Sequence, residues 1–289
     1  MDRVFSLHFI FINAIMNEPL FDIKGVSYRY SDKYIGLKDI TMQIHSGESL
    51  AILGANGSGK STLLKIMAGL VFPSFGSVIA LGKPLTQDIL SGEFAGFFRS
   101  KVGFVFQEPD VQVFCPTVWD EIAFGPLQLD IPKDEVIKRV EDVLDMLGIR
   151  ALKERQPHHL SGGEKKKVVL GAVLSLNPDI LLLDEPTNGL DPRTQVWLFE
   201  LLAGLRKFKK TVIMATHDLS IVEDLTDRVA VLSEEHTIVA DGTPAEILKD
   251  KDMLLKVNII HEHTHRHGDV VHIHSHGPFA RHDEHEDKQ

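Results

Sequence analysis

Gly54-Ala-Asn-Gly-Ser-Gly-Lys60-Ser61 fits the spacing G-x-x-x-x-G-K-[ST] at every fixed position. Chemistry on a phosphate needs residues of these types. Glycines let successive backbone N–H groups curl around an anion without Cβ clashes, and a following helix N-terminus adds positive potential. Lys60 is placed to reach the β- and γ-phosphates of a nucleotide, and the Ser61 hydroxyl to ligate Mg²⁺. Gly54, Asn56, Gly57, Ser58, Gly59 and Thr62 complete the binding window. A second pair, Asp184-Glu185, closes the apolar run Ile180–Leu183. Two carboxylates emerging at the end of a buried strand can do divided work. Asp184 holds the Mg²⁺ shell through water, and Glu185 polarises an attacking water as general base. The blander readings are a ligand-free glycine turn and a pair of acids capping the next helix. Each motif weakens the bland reading of the other.

These residues require a particular scaffold. Ser49–Leu53, Val102–Phe106, Ile180–Leu183, Thr211–Ala215 and Arg228–Leu232 read as buried strands, bounded by turn residues and separated by helical patterns. That alternation predicts an α/β fold: a P-loop NTPase core with a mostly parallel sheet covered on both faces. Ligands of such sheets bind at the carboxyl ends of the strands, where both motifs fall. Phe21–Tyr30 and Leu37–His45 alternate polar and apolar residues, as an antiparallel β-subdomain would. Pro116–Leu176 carries helical periodicity and reads as an α-helical insert subdomain. Thr243–Lys251 predicts a last helix, with Thr243 as N-cap and Pro244 next. The expected organisation is an N-terminal extension over 1–19, an ATPase domain over 20–255 with its insert at about 110–175, and a histidine-rich tail over 256–289.

Composition bounds the class. The chain has 289 residues, 43% hydrophobic and 25% charged, as in an ordinary globular protein. A net charge of −10 argues against nucleic acid as a partner. Cys115 is the only cysteine, so no intrachain disulfide forms and a reducing compartment is expected. Val4–Met16 is apolar but too short to cross a bilayer as a helix, and no small-x-small cleavage site follows it. Two readings stay open there: Met16 is the true start, or the segment packs on the domain or on a membrane partner.

Between the two phosphate-site motifs lies Leu160-Ser-Gly-Gly-Glu164. Alone it could be any exposed turn into a helix. In this order, the three motifs resemble those of the ATP-binding-cassette ATPases over about residues 20–250. The resemblance implies that Ser161, Gly162 and Gly163 contact the γ-phosphate of ATP on an opposing subunit. It matches Gln107 to the family's Q-loop glutamine, which senses the γ-phosphate and Mg²⁺, Asn188–Asp191 to the D-loop, and His217 to the switch histidine. It sets Tyr30 where an aromatic ring stacks on adenine, with Tyr28, Tyr34 and plain core packing as competing readings. Two ATP molecules would be sandwiched between two cassettes, most simply a homodimer.

The stretch from Phe104 to Pro126 (FVFQEPDVQVFCPTVWDEIAFGP) resembles cassettes of energy-coupling-factor importers and of cobalt and nickel uptake systems. That implies a transmembrane coupling subunit, a separate substrate-capture membrane subunit, and a peripheral position on the cytoplasmic face of the cell membrane. A vitamin is the alternative cargo, and a soluble regulatory ATPase is a more distant reading. The tail adds a second clue. His261, His263 and His265, then His272, His274 and His276, alternate along the chain around Gly268-Asp269. A hairpin turning there pairs His265 with His272, His263 with His274 and His261 with His276, close enough to share Ni²⁺, Co²⁺ or Zn²⁺. A disordered appendage with loosely chelating histidines is the other reading.

Overall fold

The computed structural model describes residues 18–267 and 270–276, with only the backbone described from His261 onward. The expectations for the N-terminal extension up to residue 17 lie outside the described residues.

β1 (Phe21–Tyr30) and β2 (Tyr34–Ile44) form an antiparallel pair. β3 (Ser49–Gly54) leads through the glycine loop into α1 (Lys60–Met67). β4 (Phe75–Ala80) and β5 (Lys83–Pro84) complete a four-stranded antiparallel sheet in the order β2-β1-β4-β5. Two short helices, α2 (Gln87–Leu90) and α3 (Phe94–Lys101), then precede β6 (Val102–Val105). The chain from Val118 to Leu174 is helical: α4 (Val118–Gln128), α5 (Lys133–Met146) and α6 (Gly162–Leu174). β7 (Ile180–Asp184), α7 (Pro192–Lys207), β8 (Thr211–Thr216), α8 (Leu219–Leu225) and β9 (Arg228–Leu232) follow. β10 (Ile238–Gly242), α9 (Pro244–Lys249) and α10 (Lys251–Lys256) come last before the tail strands β11 (His261–His267) and β12 (Val270–His276).

The central sheet has six strands in the order β10-β9-β3-β8-β7-β6, parallel throughout except for β10. Its inner strands are buried on both faces, and their alternation divides them between two cores. Leu50 and Ile52 of β3 join Leu182, Ile213 and α1 beneath the antiparallel sheet. Ala51 and Leu53 face the other way, onto Leu183, Met214 and α7. Continuous apolar runs such as Ile180–Leu183 follow from this double burial. A third core belongs to the helices: Val136, Val140, Val143 and Leu144 of α5 pack with Ile122 and Val168. Their spacing of three and four residues makes one apolar stripe.

Side-chain caps fix where the site-bearing helices begin. Ser161 and Glu164 form a reciprocal capping box at α6. The Asp191 carboxylate accepts from the backbone N–H groups of Arg193 and Thr194 at α7.

The helix expected over Thr243–Lys251 is α9, with Thr243 as its cap and Pro244 at its first position, but it ends at Lys249 and is not the last, because α10 follows. The break is at Asp250 (ψ 75°), whose side chain accepts from the Met253 N–H and starts α10. β4, β5 and β10 carry no such expectation from the sequence. They are short and largely exposed, β5 and β10 at sheet edges, so their pattern is weak. In the tail, backbone pairing joins His261 to His276, His263 to His274 and His265 to His272, the register anticipated from the sequence.

Candidate nucleotide site

The glycine loop closes tightly on its surroundings. Gly59, which caps α1, has φ 110°, and a Cβ there would lie 2.3 Å from the Gly36 carbonyl oxygen. No other residue type fits that conformation and that approach. Behind the loop, Gly54 and Ser58 are buried. In front of it lies a cleft of about 600 Å³. Asn56, Gly57, Gly59, Lys60, Ser61 and Thr62 line one side, and Tyr30, Gln107, Glu185 and His217 the others. The volume is that of a small-molecule site.

Lys60 Nζ donates to the carbonyls of Gly54 (2.8 Å) and Ala55 (3.1 Å) and stands 3.4 Å from Glu185 Oε1. The Ser61 hydroxyl donates to Asp184 Oδ1 at 2.8 Å. Burial is the main cause that raises the Asp184 carboxyl above its ordinary range. The neighbouring Glu185 charge pushes the same way, against the Ser61 bond and the charges of Lys65 and Lys60. An alcohol and a carboxylate converging at a buried strand end are the oxygen donors that Mg²⁺ takes. Glu185 Oε1 is buried with no hydrogen-bond partner among the described residues; the Lys60 contact is an ion pair without bonding alignment. That orphaned oxygen and the surrounding donors fit a site built to receive a charged group and its water.

Glu185 itself is conformationally unusual. Its φ is 43°, in the left-handed region, and its N–H is held by the Ala215 carbonyl at 2.9 Å. Its Oε2 lies 2.9 Å from His217 Nδ1. A carboxylate whose orientation is fixed at both ends can take a proton from a water between it and a phosphate.

Tyr30 is positioned by Gly36, where a Cβ would lie 2.8 Å from the Tyr30 ring. Its hydroxyl shares a 2.6 Å hydrogen bond with Thr62 Oγ1, and Tyr28 meets the ring edge-on at 4.9 Å between centroids. Of the three tyrosines weighed for the base, Tyr30 alone lines the cleft.

The structure does not bring Ser161, Gly162 and Gly163 to this cleft. Ser161 and Gly163 border a different cavity of about 680 Å³, together with Asp191 and Thr194. Gly163 packs so closely on α7 that a Cβ there would lie 2.9 Å from Thr194 Oγ1. The capping box uses the N–H groups of Ser161 and Glu164, and the N–H groups of Gly162 and Gly163 remain at the helix start, where Ser161 and Gly162 are exposed. Within one chain, the donors at this turn and the glycine loop belong to two separate surfaces.

Other contacts beside the cleft carried no motif. Gln112 closes the loop after β6: its Oε1 accepts from the Phe106 N–H at 3.1 Å, and its Nε2 donates to the Phe104 carbonyl at 3.0 Å. Lys166 is buried and donates to the carbonyls of Phe106 and Gln107, both at 3.4 Å. A signal for Lys166 existed, because it shares the 3–4 spacing of Val169, Leu170 and Val173 on the buried side of α6. Of the aromatic run after β6, Phe114 is exposed while Val113 is buried. Among the described residues no cluster of three or more His, Cys, Asp or Glu side chains is poised for a metal. No helix there is long and apolar enough to cross a membrane.

The profile of the ABC transporter family matches residues 37–188. A putative ABC transporter ATP-binding protein of Methanosarcina acetivorans is 51% identical over 253 residues, covering 86% of this chain and 92% of the relative. The nickel import ATP-binding protein NikO of Rhodobacter capsulatus is 44% identical over 246 residues, 84% of this chain and 96% of its own. Among solved structures, cbiO1 of Clostridium perfringens, part of the ABC transporter complex cbiONQ, superposes with a TM-score of 0.71 at 38% identity, over 84% of this chain and 96% of that one. A dimeric ATP-binding cassette in a post-hydrolysis state with ADP and Pi gives a TM-score of 0.69 at 28% identity, over 78% and 98% of the two chains.

Proposed function

The chain belongs to the ABC transporter family as one of its ATPases coupled to transport, and we propose that it energises a membrane importer of nickel or cobalt ions. The observation that carries the mechanism is the separation of its two phosphate-binding surfaces. The glycine loop with Asp184, Glu185 and His217 forms one surface, and the Ser161–Gly163 turn sits on another. A second cassette, most simply an identical chain, supplies the missing donors to each nucleotide. The dimeric cassette at 28% identity supports this arrangement. ATP then acts through its higher affinity for the closed pair than for the open one.

Within each half, Lys60 is placed to exchange its own loop carbonyls for the phosphates, and Ser61, Asp184 and Gln107 would hold the Mg²⁺ shell. When bound, Mg²⁺ neutralises charge developing on the phosphoryl oxygens. Glu185 orients and deprotonates the attacking water, His217 holds that carboxylate in place, and Tyr30 stacks on adenine.

The metal cargo is supported by the 44% identity to a nickel import protein and by the tail. The register of β11 and β12 aligns three histidine pairs across one hairpin, His261/His276, His263/His274 and His265/His272. Two-stranded hairpins are marginal alone, and a bound Ni²⁺, Co²⁺ or Zn²⁺ would supply the missing stability. On the cytoplasmic side it would receive the incoming cation. The exposed Val111, Phe114, Phe124 and Leu127 beside the Gln107 loop offer an apolar face for a transmembrane coupling subunit, which works with a separate substrate-capture subunit. The Phe104–Pro126 stretch also fits energy-coupling-factor importers, so a vitamin is the second reading.

Reconstitution with candidate membrane subunits in vesicles, measuring ATP-dependent uptake of Ni²⁺, Co²⁺ and labelled vitamins, tests the cargo. Metal uptake abolished by Glu185→Gln supports the proposal; vitamin uptake alone refutes it. Scrambling residues 261–276 should lower Ni²⁺ affinity, and unchanged affinity would sink the paired-histidine site.

A further inference from the structure

Two successive lysines of α6 reach across to the loop after β6. Lys165 Nζ lies 2.6 Å from Asp110 Oδ1, with the lysine largely covered and the aspartate open to solvent. Lys166 turns inward, is 1% exposed, and donates to the Phe106 and Gln107 carbonyls at 3.4 Å each. No ion pair forms at Lys166 among the described residues. A buried ammonium without a carboxylate partner is costly, so its cost must be offset by what it holds. What it holds is the backbone of the residue whose side chain lines the nucleotide cleft. Five residues N-terminal to Lys166, on the same helix, is the Ser161 turn that borders the other cavity.

We propose that Lys165 and Lys166 are positioning residues that clamp the Gln107 loop to the first turn of α6, so that the groups serving this chain's own nucleotide and those offered to the partner's nucleotide move as one body. The proposal rests on the nucleotide-sandwich reading above, and it adds a physical coupling to it. Gln112 closes the loop on itself through Phe104 and Phe106, so the lysines grip a rigid unit. A displacement at the exposed face beside that loop is then delivered to the Ser161 turn through two side chains only a residue apart. Contact is contiguous from the loop backbone and Asp110 through the two lysines to α6.

The clamp is tested on the full chain by ATPase kinetics and by ATP-dependent dimerisation in a Glu185→Gln background. Lys165→Glu and Asp110→Lys are each expected to lower kcat by about fivefold, the scale of one ion pair reversed, with KM for ATP within about twofold. The double exchange should recover at least about half of the wild-type kcat, while the melting temperatures of the singles stay within about 2 °C of the wild type, as they would not if the contact were merely structural. Lys166→Met keeps the length of the side chain and removes the buried charge. It should leave the melting temperature equal or higher while kcat falls about tenfold, as misplacement of a positioned group does. In the Glu185→Gln background it should also reduce the dimer fraction at saturating ATP. Single variants that hydrolyse ATP like the wild type, or a double exchange no better than the singles, overturn the clamp alone. If Glu185→Gln stays monomeric with ATP and no partner ATPase restores dimerisation, the sandwich reading is overturned, and the clamp with it.

Discussion

Nδ1 of His217, a half-exposed side chain, lies 2.9 Å from Oε2 of Glu185, which is almost wholly buried. The contact joins the end of β8 to the end of β7, strands that are hydrogen-bonded neighbours in the sheet. The left-handed φ of 43° at Glu185 aims the carboxylate into the cleft instead of along the strand.

On the proposed mechanism, Glu185→Gln lowers kcat by about two to four orders of magnitude, the usual contribution of a general base, and traps an ATP-dependent dimer. Size-exclusion chromatography with light scattering reads the dimer. His217→Ala should lower kcat by about tenfold or more with a small change in KM, because it frees the orientation of Glu185. A variant that loses ATP binding instead would assign His217 to the ground state.

Tyr30 gives a separable pair of variants. Tyr30→Ala removes the ring and should raise KM for ATP by about tenfold, the scale of one aromatic stack. Tyr30→Phe removes only the 2.6 Å bond to Thr62 and should change KM by about twofold. Equal effects of the two would place the role in the hydroxyl and not in the ring.

Glu121 is buried and its Oε2 accepts the backbone N–H groups of Phe114 (2.9 Å) and Cys115 (2.8 Å). It pins the segment that leads from the Gln107 loop into α4. Glu121→Ala should cost about 2 kcal/mol of stability, seen as a lower urea midpoint at unchanged slope. An unshifted midpoint would mean that water replaces the carboxylate without loss.

Desolvation first, and then the Glu121 charge, push the Cys115 thiol up from 9.0 to about 11. The thiolate is the reactive form, so iodoacetamide should label the native chain far more slowly than the urea-unfolded chain at about pH 8. Folding raises this pKa. The linked stability is therefore complete below the unfolded value of 9.0 and is lost as pH rises through about 11. Labelling followed by intact-mass measurement checks the rate, and Glu121→Gln should speed it.

Features built from consecutive residues were legible along the chain wherever their pattern was strong. Gly54–Ser61 and Ile180–Glu185 carry their chemistry in local spacing, because a strand end and a helix start are built from consecutive residues. The Thr243 cap and the backbone register of the tail hairpin are local in the same sense. Short edge strands and the break at Asp250 escaped, since half-exposed segments of five or six residues have little periodicity to read. Tertiary structure alone decided the contacts between distant residues. Tyr30 reaches Thr62 across 32 positions, His217 reaches Glu185 across 32, and Lys166 grips a loop 59 and 60 residues earlier. It also decided that the Ser161 turn stands apart from the glycine loop of its own chain. The physical reason is common to all of these. Which side chains meet is set by the order of strands in the sheet and the packing of helices over it, and those are fixed by burial of the whole core.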